Sequence, residues 1–84
     1  MIKYGDSIRL SDLAIELKIT SSAVRQHLLN KSGLGEGAEK WGNHRTDDYL
    51  LPISSVLNFL DWLKVKGRKV KMDDIIRVEE QLKK

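Results

Sequence analysis

Residues 10–28, LSDLAIELKITSSAVRQHL, constrain the fold of this chain more than any other segment. Leu13 and Leu17 recur at helical spacing, which predicts an amphipathic helix with one apolar side. A tight break follows, after which Thr20 or Ser21 can cap a second helix. We therefore predict a helix-turn-helix, the arrangement with which proteins most often place one helix in the DNA major groove.

The rest of the chain predicts two further helices and little sheet. We expect a single domain over 1–84 that is mainly α, with about four helices and a short two-stranded β-ribbon. Ser11 is the expected N-cap of the first helix. The predicted boundaries are 11–30 for the helix-turn-helix, whose second helix covers about 21–30, 32–52 for the loop and ribbon, and 54–66 and 72–83 for the remaining helices.

Charge and composition narrow the functional classes. The formal net charge is +3, and the basic excess falls in residues 1–34 and in a cluster between residues 64 and 71. Segregated positive charge is typical of a phosphate-binding surface, although a solvated lysine-rich face gives the same pattern. The chain has no cysteine, and no apolar run approaches the roughly 20 residues of a membrane span. We expect a cytoplasmic, nucleoid-associated protein that does not contact membranes.

The order of these parts resembles the MerR-like winged helix-turn-helix domain, including its phage excisionase and prophage-regulator branch. The segments that carry the resemblance are 10–28, Leu34, the pair Arg45 and Tyr49, VLNFLDWLKVKG at 56–67 and MDDII at 72–76. The resemblance implies that the second helix enters the major groove and that the ribbon is a wing along the DNA backbone or minor groove. The recognition-helix arginine of the family matches Arg25. The effector domain of full-length MerR regulators has no counterpart, so we expect no cofactor and no small-molecule effector.

The predicted DNA-binding residues form three groups. Hydroxyl and backbone N–H groups at the start of the second helix can contact phosphate, while arginine pairs with guanine and glutamine with adenine. Helix capping and ordinary solvated surface are the alternative explanations. The groups are Thr20, Ser21, Ser22, Arg25, Gln26, Asn30 and Lys31 around the second helix; Asn43, His44 and Arg45 in the wing; and Arg68, Lys69 and Lys71 in the basic cluster.

The sequence gives little indication of a catalytic site. His27 lies beside the apolar side of the second helix, where a packing role is the simpler interpretation, and His44 lies in a loop. No cysteine or clustered His/Asp/Glu spacing indicates a metal site. The glycines of GLGEG do not open a helix after a strand, so they do not predict a phosphate-binding loop. We expect that the protein is not an enzyme.

The sequence therefore predicts a double-stranded DNA-binding protein, with an excisionase-like or prophage-type accessory or transcriptional regulator as the first choice. A terminase small-subunit-like or plasmid-partition protein is an alternative with the same module. A protein-interaction adaptor that uses the acidic loop and Trp62 is an alternative from another class. A homodimer or cooperative assembly on DNA is also expected, with Ile15, Trp62 and Val65 as candidate contacts.

Overall fold

The structure is a computed structural model that describes residues 2–30, 32–41, 48–66 and 69–84. The predictions made for Lys31, Asn43, His44, Arg45 and Arg68 lie outside these residues. Four helices are confirmed, but they pack on a larger sheet than predicted, so the fold is mixed α/β rather than mainly α. The elements are β1 (Lys3–Tyr4), β2 (Ser7–Arg9), α1 (Leu10–Leu17), α2 (Ser21–Gln26), β3 (Glu39–Trp41), β4 (Asp48–Pro52), α3 (Ile53–Lys66) and α4 (Met72–Leu82).

The described strands form one antiparallel sheet in the order β1-β2-β4-β3. The predicted two-stranded ribbon corresponds to β3 and β4, with Lys40 opposite Tyr49. The sequence missed the other pairing, in which Ile8 of β2 lies opposite Leu51 of β4. With three residues, β2 is too short for a period-two pattern to stand out, and its partner is distant in the chain.

The core lies between this sheet and the helices. Ile8 and Leu51 are fully buried, and so are Phe59 and Leu60 of α3. The apolar side predicted for the first helix is confirmed. Among the described residues, the buried apolar side chains are Ile8, Leu10, Leu13, Ala14, Leu17, Val24, Leu34, Leu51, Val56, Phe59, Leu60, Leu63, Ile75, Val78 and Leu82.

The start of α1 differs from the prediction. The helix begins at Leu10, and its N-cap residue Arg9 makes no side-chain cap bond. Asp48 of β4 supplies the cap instead, because its Oδ1 accepts the Ser11 backbone N–H at 3.1 Å and its Oδ2 accepts the Ser11 hydroxyl at 2.7 Å. Ser11 as N-cap is therefore wrong: its hydroxyl donates to a carboxylate and caps nothing.

The turn between α1 and α2 is closed by a left-handed residue. Lys18 has φ 59° and ψ 39°. The Lys18 N–H donates to the Ile15 carbonyl at 3.1 Å, and the Ile19 N–H donates to the Ala14 carbonyl at 3.0 Å. This pair of bonds is a Schellman motif, which satisfies carbonyls at the helix end and turns the chain sharply.

The second helix is shorter than the predicted 21–30. Thr20 caps it, with Oγ1 accepting the Ala23 N–H at 3.1 Å, and it ends at Gln26. Beyond that point the Ser32 hydroxyl donates to the His27 carbonyl, and Asn30 Oδ1 accepts the Ser32 N–H at 2.9 Å. Side chains thus satisfy backbone groups that another helical turn would have used.

The last two helices match their predicted spans within one residue at each end. Lys64 of α3 joins them through an ion pair with Glu79 of α4, with 2.7 Å between Nζ and Oε2. Across 2–30, 32–41, 48–66 and 69–84, we find no helix both long and apolar enough to cross a membrane.

Candidate nucleic-acid interface

The outer face of α2 is polar and open. Ser22 and Gln26 are exposed and Ser21 is half-buried, while Val24 is completely buried in the core. Thr20 is exposed although its Oγ1 accepts the cap bond. The helix therefore presents hydroxyl and amide groups outward.

Arg25 is less open than the sequence suggested. Its side chain is half-buried and its Nε is shielded from solvent. Arg25 lines a groove of about 400 Å³ together with Leu28, Gly35 and Tyr49. The close approach of the glycine-containing loop explains this position, because a Cβ on Gly35 would lie 2.1 Å from the Leu28 carbonyl oxygen.

Asn30 is exposed, but its side chain is used within the turn that follows α2. Because Asn30 Oδ1 accepts the Ser32 N–H, its Nδ2 faces His27 Nδ1, at 2.8 Å. Leu29, next to it, has 95% of its surface exposed. This turn contributes one large apolar side chain to the surface, while the Asn30 amide holds the turn in shape.

The basic cluster divides into paired and unpaired residues. Lys64 pairs with Glu79 and, at 3.5 Å, with Asp61, and these carboxylates raise its pKa. Lys66, Lys69 and Lys71 are exposed, and none of them has an ion-pair partner within the described part of the chain. Among the described residues of the basic cluster, the ammonium groups available to a ligand are therefore those that follow Lys64.

Two of these lysines lie beside α2. Lys66 and Lys69, which we call the lysine pair, line a groove of about 280 Å³ together with Ala23 of α2 and Ile19 of the preceding turn. The groove, which we call the Trp62 groove, is completed by His27, Trp62, Leu63 and Val70. Sequence reasoning placed Lys66 in the basic cluster but not among the site residues, because its position beside α2 depends on how α3 packs.

The position of His27 agrees with the expected packing role. Its ring centroid lies 4.9 Å from that of Phe59 and 5.2 Å from that of Trp62. Burial lowers the pKa of His27, so the neutral ring is favoured. Trp62, expected as a candidate partner contact, is half-buried in this cluster. Within the described ranges no group of three or more His, Asp or Glu residues could hold a metal ion.

Asp48 is a buried polar residue whose role the sequence did not predict. It is 95% buried, since only 5% of its surface is exposed, and it accepts bonds from Arg9 Nε at 2.9 Å and from the Tyr49 N–H at 2.9 Å as well as from Ser11. Burial alone would raise the pKa of Asp48, but these hydrogen bonds outweigh burial and lower it. Arg9 is thereby held in an internal pair and does not add to the open positive surface.

The groups available around α2 are hydrogen-bond donors and cations: the Ser22 hydroxyl, the Gln26 amide and the ammonium groups of the lysine pair. Such a surface suits a polyanion with polar edges. No family model, no curated protein and no solved structure matches this chain. Its function is therefore inferred from its own residues and their geometry.

Proposed function

We propose that this chain is a small winged helix-turn-helix module that binds double-stranded DNA. The observation that carries the proposal is the position of the lysine pair, which lines one groove with Ala23 of α2. Two ammonium groups without partners among the described residues thus flank a helix whose outer face is polar. In this arrangement α2 enters the major groove while the lysine pair contacts neighbouring phosphates.

The local geometry supports this use of α2. The Schellman turn at Lys18 and the Thr20 cap hold α1 and α2 in a fixed crossing, which is what a helix-turn-helix requires of its turn. In such modules the N-terminal residues of the recognition helix contact the base edges, so six residues are enough to present a reading surface. Strands β3 and β4 pair antiparallel, and in this proposal they act as the wing that the resemblance to the MerR-like family implies.

Gln26 is the first candidate for sequence-specific contacts with bases. Its exposed amide can form a bidentate pair with adenine N6 and N7, and Ser22 can bond to a base edge or a phosphate. Arg25 is half-buried and has a smaller share. Affinity for DNA then comes chiefly from contacts with phosphates, and the preference for a particular sequence is modest. This combination fits an accessory regulator of the excisionase or prophage type.

Fluorescence anisotropy with labelled duplexes tests the proposal. Affinity should fall with rising salt, with a slope of log K against log salt of about −0.9 for each phosphate contacted. The double variant Lys66→Ala, Lys69→Ala should bind more weakly and lose about two units of slope. Lys83→Ala is the matched control, because Lys83 lies at the far end of α4 near Glu79.

Sequence preference requires a separate measurement. Fragments selected from a random duplex pool should share a motif, and Gln26→Ala should reduce discrimination at one position by about 1–3 kcal/mol without changing the salt slope. If the folded protein binds no duplex even at low salt, DNA binding is refuted and the adaptor alternative takes its place.

A further inference from the structure

The Trp62 groove combines an apolar lining with positive charge. Ile19, Ala23 and Trp62 supply apolar surface from α2, its preceding turn and α3. The lysine pair lines the same groove, and both lysines are exposed without ion-pair partners among the residues that the structure describes. An occupant that satisfies both features must be apolar over most of its surface and negatively charged at one end.

We propose that the Trp62 groove binds a small apolar anion, an aromatic or aliphatic carboxylate. Its volume of about 280 Å³ is close to the lower end of the range for small-molecule pockets, roughly 300–1,000 Å³. Two turns of a partner helix, about 10 Å across and 11 Å long, occupy a larger volume. The groove therefore fits a molecule of one or two rings, with the carboxylate held by the lysine pair and the rings against Trp62.

Occupation of this groove has a consequence for DNA that rests on the function proposed above. The lysine pair cannot neutralise a bound carboxylate and a DNA phosphate at full strength at the same time. In addition, Ala23 and Ile19 connect the groove directly to α2 and to the turn before it. The ligand and the duplex should therefore compete, in contrast to the sequence-based expectation of no small-molecule effector.

An NMR titration of the whole chain with naphthoate tests the binding site without DNA. The signals of the Trp62 indole N–H and the Ala23 amide should shift with saturation, with a Kd on the order of 1 mM. The Trp41 indole is an internal reference, because Trp41 packs on Tyr4 of β1, with 5.0 Å between ring centroids, and is not part of the groove. Naphthamide, the uncharged analogue, should bind at least about fivefold more weakly.

Substitutions in the groove test which residues contact naphthoate. The double variant Lys66→Ala, Lys69→Ala should weaken naphthoate binding about fivefold, whereas Lys71→Ala, which changes an exposed lysine outside the groove, should leave it unchanged. Ala23→Leu should fill the groove and abolish the shifts at Trp62. The exposed lysine variants keep the test decisive if Ala23→Leu does not fold. Absence of saturable shifts, equal binding of naphthamide, or unchanged binding by the double variant would each overturn the proposal.

The competition arm separates the two proposals. Naphthoate added at constant ionic strength should raise the protein concentration needed for half-maximal duplex binding. If naphthoate binds in the groove and duplex binding is unaffected, the role of the lysine pair in DNA binding is refuted and the ligand site stands. If no duplex binds at all, the DNA proposal fails, and the NMR titration alone decides the ligand site.

Discussion

Replacement of Asp48 by alanine should destabilise the fold far more than replacement of an exposed acidic residue such as Asp61. Asp48 joins β4 to the start of α1 and accepts four hydrogen bonds, from Arg9 Nε, the Ser11 N–H, the Ser11 hydroxyl and the Tyr49 N–H. Alanine removes all four acceptor contacts at a site with 5% exposure, where water does not readily replace them.

The expected loss can be assembled from these contacts. Loss of a helix N-cap costs about 1 kcal/mol, and each of the two other bonds, from the Ser11 hydroxyl and the Tyr49 N–H, contributes a net of about 0.5–1.5 kcal/mol. The Arg9 side chain is 35% exposed, so it regains hydration and its pairing with Asp48 counts for little. We expect a total of about 2–4 kcal/mol, against a stability of roughly 4–12 kcal/mol for a domain of this size.

Urea unfolding followed by circular dichroism measures this loss. The midpoint should fall while the slope stays constant, and the melting temperature should drop by about 10–25 °C. Asp61→Ala is the control, because Asp61 is 70% exposed and its contact with Lys64 is a surface pair. A change below about 0.5 kcal/mol for Asp48→Ala, equal to that of the control, would refute the cap assignment.

The acid limb of the stability curve provides an independent check on Asp48. Its pKa is lowered in the folded state, so its contribution is present above the unfolded pKa of about 3.9 and is lost as the pH falls through the folded value. Asp48→Asn has no charge to titrate at this site. Its stability should therefore decline less steeply below pH 4 than that of the unaltered chain, and parallel curves would contradict the lowered pKa.

Three further predictions concern the turns around α2. Lys18→Gly should stabilise the fold by about 1 kcal/mol in urea unfolding, because glycine relieves the left-handed conformation, whereas Lys18→Ala should not. His27→Phe should flatten the pH dependence: the lowered pKa of His27 makes the unaltered chain lose stability as the pH falls below about 6.5, and an unchanged curve would contradict this. Gly35→Ala should cost about 1–3 kcal/mol through overlap with the Leu28 carbonyl, more than Gly5→Ala, whose added Cβ meets open space and which costs only the roughly 1 kcal/mol of its left-handed φ of 63°.

Features that depend on neighbouring residues could be predicted from the sequence. The burial of Leu13 and Leu17 follows from a helical period within one segment, and the same holds for Ile75 and Val78 of α4. The cap at Thr20 follows from a hydroxyl that precedes a helix. In each case the physical cause lies within about four positions along the chain, so a local pattern contains it.

Features that join distant parts of the chain could not be predicted in this way. The pairing of Ile8 with Leu51 and the cap that Asp48 provides for α1 depend on how β2 and β4 meet, and neither strand predicts its partner. In the candidate site, too, local features could be predicted and features that depend on distant residues could not. The exposure of Gln26 follows from helix geometry, whereas the partial burial of Arg25 depends on a loop that returns past Gly35.

Salt separates the two uses proposed for the lysine pair. A duplex releases condensed counterions when its phosphates are neutralised, so loss of Lys66 and Lys69 should remove about two units from the salt slope. A single carboxylate has no condensed counterions to release. Salt weakens its attraction to the same ammonium groups only by screening, and the screening length is about 10 Å at 0.1 M salt. Raising the salt should therefore weaken duplex binding steeply and naphthoate binding slightly. In competition, a fixed concentration of naphthoate should displace the duplex more completely as the salt rises, and the opposite trend would mean that the two ligands do not share the lysine pair.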